Sequence, residues 1–292
     1  VNEFVDQFLD SYAECGGINH IDGANLPSKS AVSALTLDLL QLLFPGFLSG
    51  QPLCRAELPR QTLGLMTDLG QRLREEVSKS LEYKPVPGLE ADGVVQGFFE
   101  DLVKVRMILQ TDVEAAFAGD PAAASTDEVI VAYPGIEAIA VQRMAHVLHT
   151  RGVPLIPRMM TEWAHSRTGI DIHPGASIGS HFFIDHGTGV VFGETVVVGN
   201  RVKIYHGVTL GARSTSGGQS LRGKKRHPTL EDDVTIYPGA TILGGETVIG
   251  ARTVVGGNVW LIQSVPPDSL VTMEQPKLQI RTKENAAQHW EI

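Results

Sequence analysis

From the first residue to about residue 168, apolar side chains recur at three and four positions, the spacing that lines one face of an α-helix. In SALTLDLLQLLF, Leu35, Leu39, Leu42 and Leu43 share a face, and in TDLGQRLREEVSKSLEY, Leu69, Leu73, Val77 and Leu81 do the same with charges between them. The same period predicts helices in FFEDLVKVRMILQTDVEAAF, ending near Gly119, in GIEAIAVQRMAHVLHT, opening after Pro134, and in IPRMMTEWAHSRTG, closing at Gly169. Turns rich in Pro and Gly, such as YKPVPGLEADG, separate them.

At Ile170 the period changes. Aliphatic residues now recur every six positions: Ile172, Ile178, Ile184, Val190, Val196, Val202 and Val208, then Leu230, Ile236, Ile242, Val248 and Val254. Neither a helix nor a two-faced strand has that period. Six-residue self-similarity predicts a solenoid, a parallel β-helix in which each hexapeptide forms one flat side and three sides close a coil. Inward aliphatics then stack into a narrow core, and the frequent glycines relieve crowding at the corners. Between Val208 and Leu230 the polar stretch GARSTSGGQSLRGKKRHPT breaks the register, so residues 211–228 are expected to project as a loop, a place where function commonly sits. The pattern describes an α+β chain: an α-helical domain over 1–168, the β-helix over 169–267 and a tail over 268–292.

Composition narrows the partners. With 292 residues and 42% hydrophobic positions the chain can bury a sizeable core. A formal net charge of −9 argues against a broad nucleic-acid surface. The densest positive charge is local, at Arg222, Lys224, Lys225 and Arg226 in the projecting loop, followed by His227. Two cysteines far apart, Cys15 and Cys54, fit a reduced compartment, and the cytoplasm is the expected location. The start VNEFVDQFLD lacks the basic end and apolar core of a signal peptide, and Asp38 and Pro45 interrupt the most apolar segment, so no membrane span is expected.

The chemistry-bearing stretch is HFFIDHGTG at 181–189, with two histidines five apart and an aspartate beside the second. On spacing alone it fits a metal site, a catalytic base or packing. Several words around it are more specific: DIHPGASIG at 171–179, DHGTGVVFGET at 185–195, VTLG at 208–211, SGG at 216–218 with RHP at 226–228, IYPGATILGG at 236–245, SVPPDS near 264–269, and GDPAA at 119–123 in the helical half. In this order and spacing they resemble the serine O-acetyltransferases of the left-handed β-helix acyltransferase superfamily, over roughly residues 100–267.

That resemblance implies transfer of an acetyl group from acetyl-CoA to the hydroxyl of L-serine, for cysteine biosynthesis, with no metal. A serine hydroxyl is a poor nucleophile at neutral pH and needs a positioned base, a role histidine suits. By resemblance His186 is that base, and Asp171 orients its imidazole and stabilises the protonated form, as the third member of a hydrolase triad does. Asp120 and Asp185 would meet the substrate ammonium, and Arg226 its carboxylate with His227 lining the pocket, paired guanidinium donors suiting a carboxylate. Gly211, Ala212, Gly239, Ala240 and Gly257 lie where the family lets the cofactor approach the backbone. The chain departs from the pattern at Ala212, where a second glycine commonly follows TLG.

The resemblance further implies a homotrimer with sites between neighbouring β-helices, and dimers of trimers as a larger form. It also implies cysteine as a feedback inhibitor and docking of O-acetylserine sulfhydrylase on the terminal Ile292. Two other readings stand beside it. The longer loop and Ala212 leave room for another small hydroxyl acceptor such as homoserine, and a zinc β-helix carbonic anhydrase would use His181, His186 and His206 as ligands.

Overall fold

The computed structural model describes residues 1–274. Seven helices come first: α1 (Asn2–Glu14), α2 (Lys29–Leu43), α3 (Leu58–Tyr83), α4 (Ala91–Gly119), α5 (Thr126–Ala132), α6 (Pro134–Thr150) and α7 (Ile156–Thr168). The apolar stripes expected on α2 and α3 face inward, with Leu35, Leu39, Leu69, Leu73 and Val77 buried. Gly169 ends α7 in the left-handed conformation at φ +69, which a Cβ would disfavour. α1 and α5 are additions to the helices expected from apolar spacing. Among the described residues no helix is long and apolar enough to cross a membrane.

Short parallel strands follow in three stacked faces, the left-handed β-helix of the resemblance. The first face stacks Asp171, Val191, Thr209, Thr241 and Trp260 in register. The second stacks Ser177, Val197, Thr229 and Val248, and the third Phe183, Lys203, Thr235, Val254 and Leu270. Six residues carry the chain from one face to the next, as from Val191 to Val197 to Lys203 to Thr209.

Three departures from that period matter. The corner from Phe183 to Val191 takes eight residues, the step from Thr209 to Thr229 takes twenty because the projecting loop is inserted there, and the step from Thr241 to Val248 takes seven. The first explains why the six-residue series runs across two inward rows: Ile172, Phe192, Leu210, Ile242 and Leu261 form one, and Ile170, Val190, Val208, Ala240 and Val259 the other, all buried. The third corrects the series at its end. An added residue beside Gly244, at φ +107, shifts the register by one, so Ile249 and Val255 face the core rather than Val248 and Val254. The solenoid also runs past the expected boundary at 267, because Leu270–Val271 pairs with Val254–Val255.

One buried cluster runs from α2 through α6 into the coils. An open end of a solenoid exposes unpaired backbone groups, and here α6 covers them with side chains. Gln142 donates to the Ala176 carbonyl at 2.8 Å, and Arg143 to the carbonyls of Ile178 at 2.9 Å and Gly179 at 2.6 Å, while His146 Nδ1 lies 2.8 Å from the Pro174 carbonyl. Arg143 also grips the buried Asp112 of α4 through two bonds of 2.8 and 3.0 Å, and Asp112 accepts the Phe182 amide at 2.9 Å. This pair locks α4 and α6 onto the strand that leads to His186.

Candidate active site

His186 sits on the widened corner between the third and first faces. Its backbone is left-handed at φ +59, followed by Gly187 at φ +93 and Gly189 at φ +79. A Cβ on Gly187 would come within 2.5 Å of Ile170 Cδ1, so this corner turns only with glycine there. The result is an exposed imidazole on a fixed turn, with Nε2 3.8 Å from Asp185 Oδ1 and the His206 ring of the next coil at 5.7 Å.

The helical half delivers a third group to the same corner. Asp120 caps the C-terminus of α4, where its Oδ1 accepts the Ala122 amide at 2.8 Å and its Oδ2 the Tyr133 hydroxyl at 2.5 Å. Those bonds, Tyr133's first, hold its pKa below the usual carboxylate value, with the nearby His186 and Lys203 adding to the effect. The same bond pushes the Tyr133 phenol up to about 12, and Asp185 contributes to that shift. Asp120, Asp185 and His186 therefore share one field although α5, α6 and α7 intervene in sequence.

Arg226 and His227 lie at the other edge of the first face, where the projecting loop returns. Thr195 organises this edge. Its Oγ1 accepts the amides of Arg226 at 3.0 Å and His227 at 3.1 Å, and its own amide donates to His227 Nδ1 at 3.0 Å. A Cβ on Gly193 would fall 2.0 Å from His227 Nε2, so the glycine makes the seat for the ring. Burial, then the charges of Arg226 and Lys225, push His227 down to about 4. The ring is neutral at physiological pH. Arg226 pairs with Glu194; burial alone would raise that carboxyl, but the guanidinium outweighs it and the net shift is downward. Lys225 donates to the carbonyls of Thr195 at 2.6 Å and Pro228 at 3.2 Å, pinning the base of the loop.

Asp171 opens the first face one coil before Val191, half-buried and 3.3 Å from Arg158 Nη1. Within one chain its ion-pair partner is Arg158, and the carboxylate nearest His186 is Asp185. The five backbone-approach positions divide between the edges. Gly239, Ala240 and Gly257 follow the His186 corner from coil to coil, whereas Gly211 and Ala212 lie at the root of the loop. At Gly239, φ is +71 and its amide donates to the His206 carbonyl at 3.0 Å. Ala240 points its methyl into the core. Sequence reasoning misses Tyr133, Lys203, Glu194 and Thr195. The last two belong to FGET, but nothing in their spacing announces a loop clamp.

The zinc reading fares poorly on placement. His181 lies on a different corner, with its amide bonded to Thr111 Oγ1 at 2.9 Å, and only His186 and His206 adjoin. Among the described residues the donors that do converge are Glu162, His165 and Asp171. Arg158, paired with both acids, already supplies the positive charge there.

Comparison with known proteins decides the family. No family model matches the chain. A plasmid-encoded serine acetyltransferase of Synechococcus elongatus is 44% identical in an alignment of 265 positions that covers 86% of this chain and 82% of that protein. The chain belongs to the serine acetyltransferase family. Solved serine acetyltransferases agree in fold: Entamoeba histolytica serine acetyltransferase 1 in complex with L-cysteine superposes with a TM-score of 0.74 at 38% identity, covering 82% of this chain and 86% of that one. Isoform 3 of the same organism, also with cysteine, gives 0.75 at 33% identity over 98% of both chains. Serine acetyltransferases are acyltransferases, so the chain is an enzyme of that class.

Proposed function

We propose that the protein transfers the acetyl group of acetyl-CoA to the hydroxyl of L-serine, with His186 as the base. The observation that carries this is the convergence of Asp120, Asp185 and His186 on one corner: two carboxylates beside an exposed imidazole suit an acceptor that carries both an ammonium and a hydroxyl. His186 takes the hydroxyl proton as the serine oxygen bonds to the thioester carbonyl carbon. The carbon–sulfur bond then breaks, and the imidazolium returns the proton to the departing thiolate. Asp171 orients and stabilises the imidazolium. Asp120 and Asp185 hold the ammonium, and Arg226 and His227 the carboxylate.

The two halves of that set occupy opposite edges of the first face, and Arg226 spends its charge on Glu194 within the chain. This division supports a homotrimer in which the loop edge of one β-helix meets the His186 corner of its neighbour, with a dimer of trimers as the larger assembly. Acetyl-CoA would lie along the face between, against Gly211, Ala212, Gly239, Ala240 and Gly257. The proposed setting is the cytoplasm. Cysteine, seen with two relatives, fits the same acceptor site as an inhibitor. The docking role of Ile292 falls outside the described residues.

The test is release of CoA from acetyl-CoA with L-serine, with L-homoserine and with no acceptor. Serine-dependent release that falls by about 10²–10⁴-fold in His186→Ala is the expected result. Release driven by homoserine instead would move the acceptor. Acceptor-independent release, or none, would overturn the reading.

A further inference from the structure

The Asp120 carboxylate is held more firmly than a helix-capping residue needs to be. Tyr133, the residue that opens α6, donates its hydroxyl to Oδ2 at 2.5 Å, and the Ala122 amide takes Oδ1, so each oxygen has one fixed donor and unused acceptor capacity. Behind it, Lys203 of the third face reaches across 84 positions of sequence to donate to the Gly119 carbonyl at 2.6 Å. Its ammonium also lies 4.9 Å from the ring centroids of both Phe183 and Tyr205. A cation at the last carbonyls of a helix is favourable in itself. Gly119 is packed so closely on Phe183 that an added Cβ would lie 2.8 Å from Cδ1.

We propose that Tyr133 and Lys203 are positioning residues, a two-point clamp that sets the Asp120 carboxylate over the His186 corner and thereby fixes recognition of the acceptor's α-ammonium. This rests on the proposed function, in which Asp120 meets that ammonium. The charge count favours it. Among the described residues Lys203 makes no ion pair with Asp120, being turned to the helix end, and so leaves the carboxylate open to a ligand. Two carboxylates and one lysine leave one negative charge at the corner, which a single ammonium neutralises. An acceptor with the hydroxyl and carboxylate but no ammonium has nothing to gain from the clamp.

The experiment is steady-state kinetics of the full-length protein as Tyr133→Phe, Lys203→Met, Lys203→Arg, Asp120→Asn and the Tyr133→Phe/Asp120→Asn double variant. Tyr133→Phe is expected to raise KM for L-serine about tenfold while kcat and KM for acetyl-CoA stay within about twofold, the loss of one charge-assisted hydrogen bond at a binding group. Lys203→Met should raise the same KM by several-fold and Lys203→Arg should restore most of it. The inhibition constant of 3-hydroxypropionate, which lacks the ammonium, should not move in Tyr133→Phe. The double variant should match Asp120→Asn alone, because Tyr133 acts through that carboxylate. An additive double variant, or equal losses for serine and 3-hydroxypropionate, would overturn the clamp while leaving Asp120 as the ammonium site. An unchanged serine KM in Asp120→Asn would instead remove the underlying assignment of Asp120. Should Tyr133→Phe not fold, the Lys203 pair tests the same clamp: a serine KM unchanged in Lys203→Met, or not restored in Lys203→Arg, overturns it.

Discussion

The two edges of the first solenoid face are assembled by different means. The His186 corner gathers groups from the end of α4, the start of α6 and the third face, and each is tied to a separate part of the fold: Asp120 to Tyr133, Gly119 to Lys203, and the strand before His186 to the buried pair of Asp112 and Arg143. The Arg226 edge draws on one local insertion, held by Thr195, Lys225 and the seat that Gly193 leaves for His227. A group placed by the global fold keeps its geometry as long as the protein is folded. A group placed by a loop can be adjusted without touching the core. The difference suits the function proposed above, in which the proton-transfer base is rigid and the edge proposed to face a neighbouring subunit is adaptable.

The comparison is broken most severely at Asp112. Its carboxylate is fully buried, and burial raises its pKa even though Arg143 works the other way. Asp112→Ala would strand the Arg143 guanidinium in the interior and release the Phe182 amide. Removing one partner of such a pair costs about 3–5 kcal/mol, so the melting temperature should drop by roughly 10 °C. A drop of less than about 2 °C would mean that the junction does not hold the His186 corner.

Much of this architecture is legible in the sequence, and what is not has a physical reason. The change of period at Ile170 announces the solenoid, because the inward row must be aliphatic whatever the outer face does. His186 is singled out as the proposed base only through the words around it. The widened corner that presents it is less so, since an eight-residue step between faces looks like six with two small residues added. Gln142, Arg143 and His146 read as the polar side of an ordinary helix, and only the fold reveals that they satisfy backbone carbonyls of the first coil. Tyr133 and Lys203 carry no motif at all. Their meaning lies in pairings across many residues, and so does the separation of Arg226 and His227 from His186.

A smaller effect, sharpening the contrast from the loop side, follows from the buried histidines. His227 and His173 are both held down to about 4, in each case first by burial and then by neighbouring positive charge. A histidine whose pKa is lower folded than unfolded takes up a proton on unfolding between the two values, so stability rises with pH across that window. Stability should therefore be constant above about pH 7 and decline as pH falls from about 6.5 towards 4. Discounted for partial solvent access, the two together are worth on the order of 2 kcal/mol. His227→Gln should flatten part of the decline in melting temperature between about pH 6.5 and 4.5. An unchanged slope would mean that His227 is hydrated and charges without strain.

The smallest expected effect belongs to the loop itself. Residues 214–220 are exposed, and their hydrogen bonds are local, as in Gly218 to Thr215 and Ser220 to Gly217. Closing a surface loop costs entropy that grows only with the logarithm of its length, about 0.6 kcal/mol per doubling. Replacing residues 214–222 with a short Gly-Ser link, while keeping Lys224 through His227, should thus leave the melting temperature within about 2 °C. If the loop edge serves binding and the His186 corner serves chemistry, the same variant should raise a KM and leave kcat within about threefold. A collapse of kcat with the melting temperature unchanged would place part of the proton-transfer machinery in the insertion. A fall in melting temperature comparable to that of Asp112→Ala would show that the two edges are not independently held, because then the loop would carry core stability that its exposed, locally bonded backbone gives no means to supply.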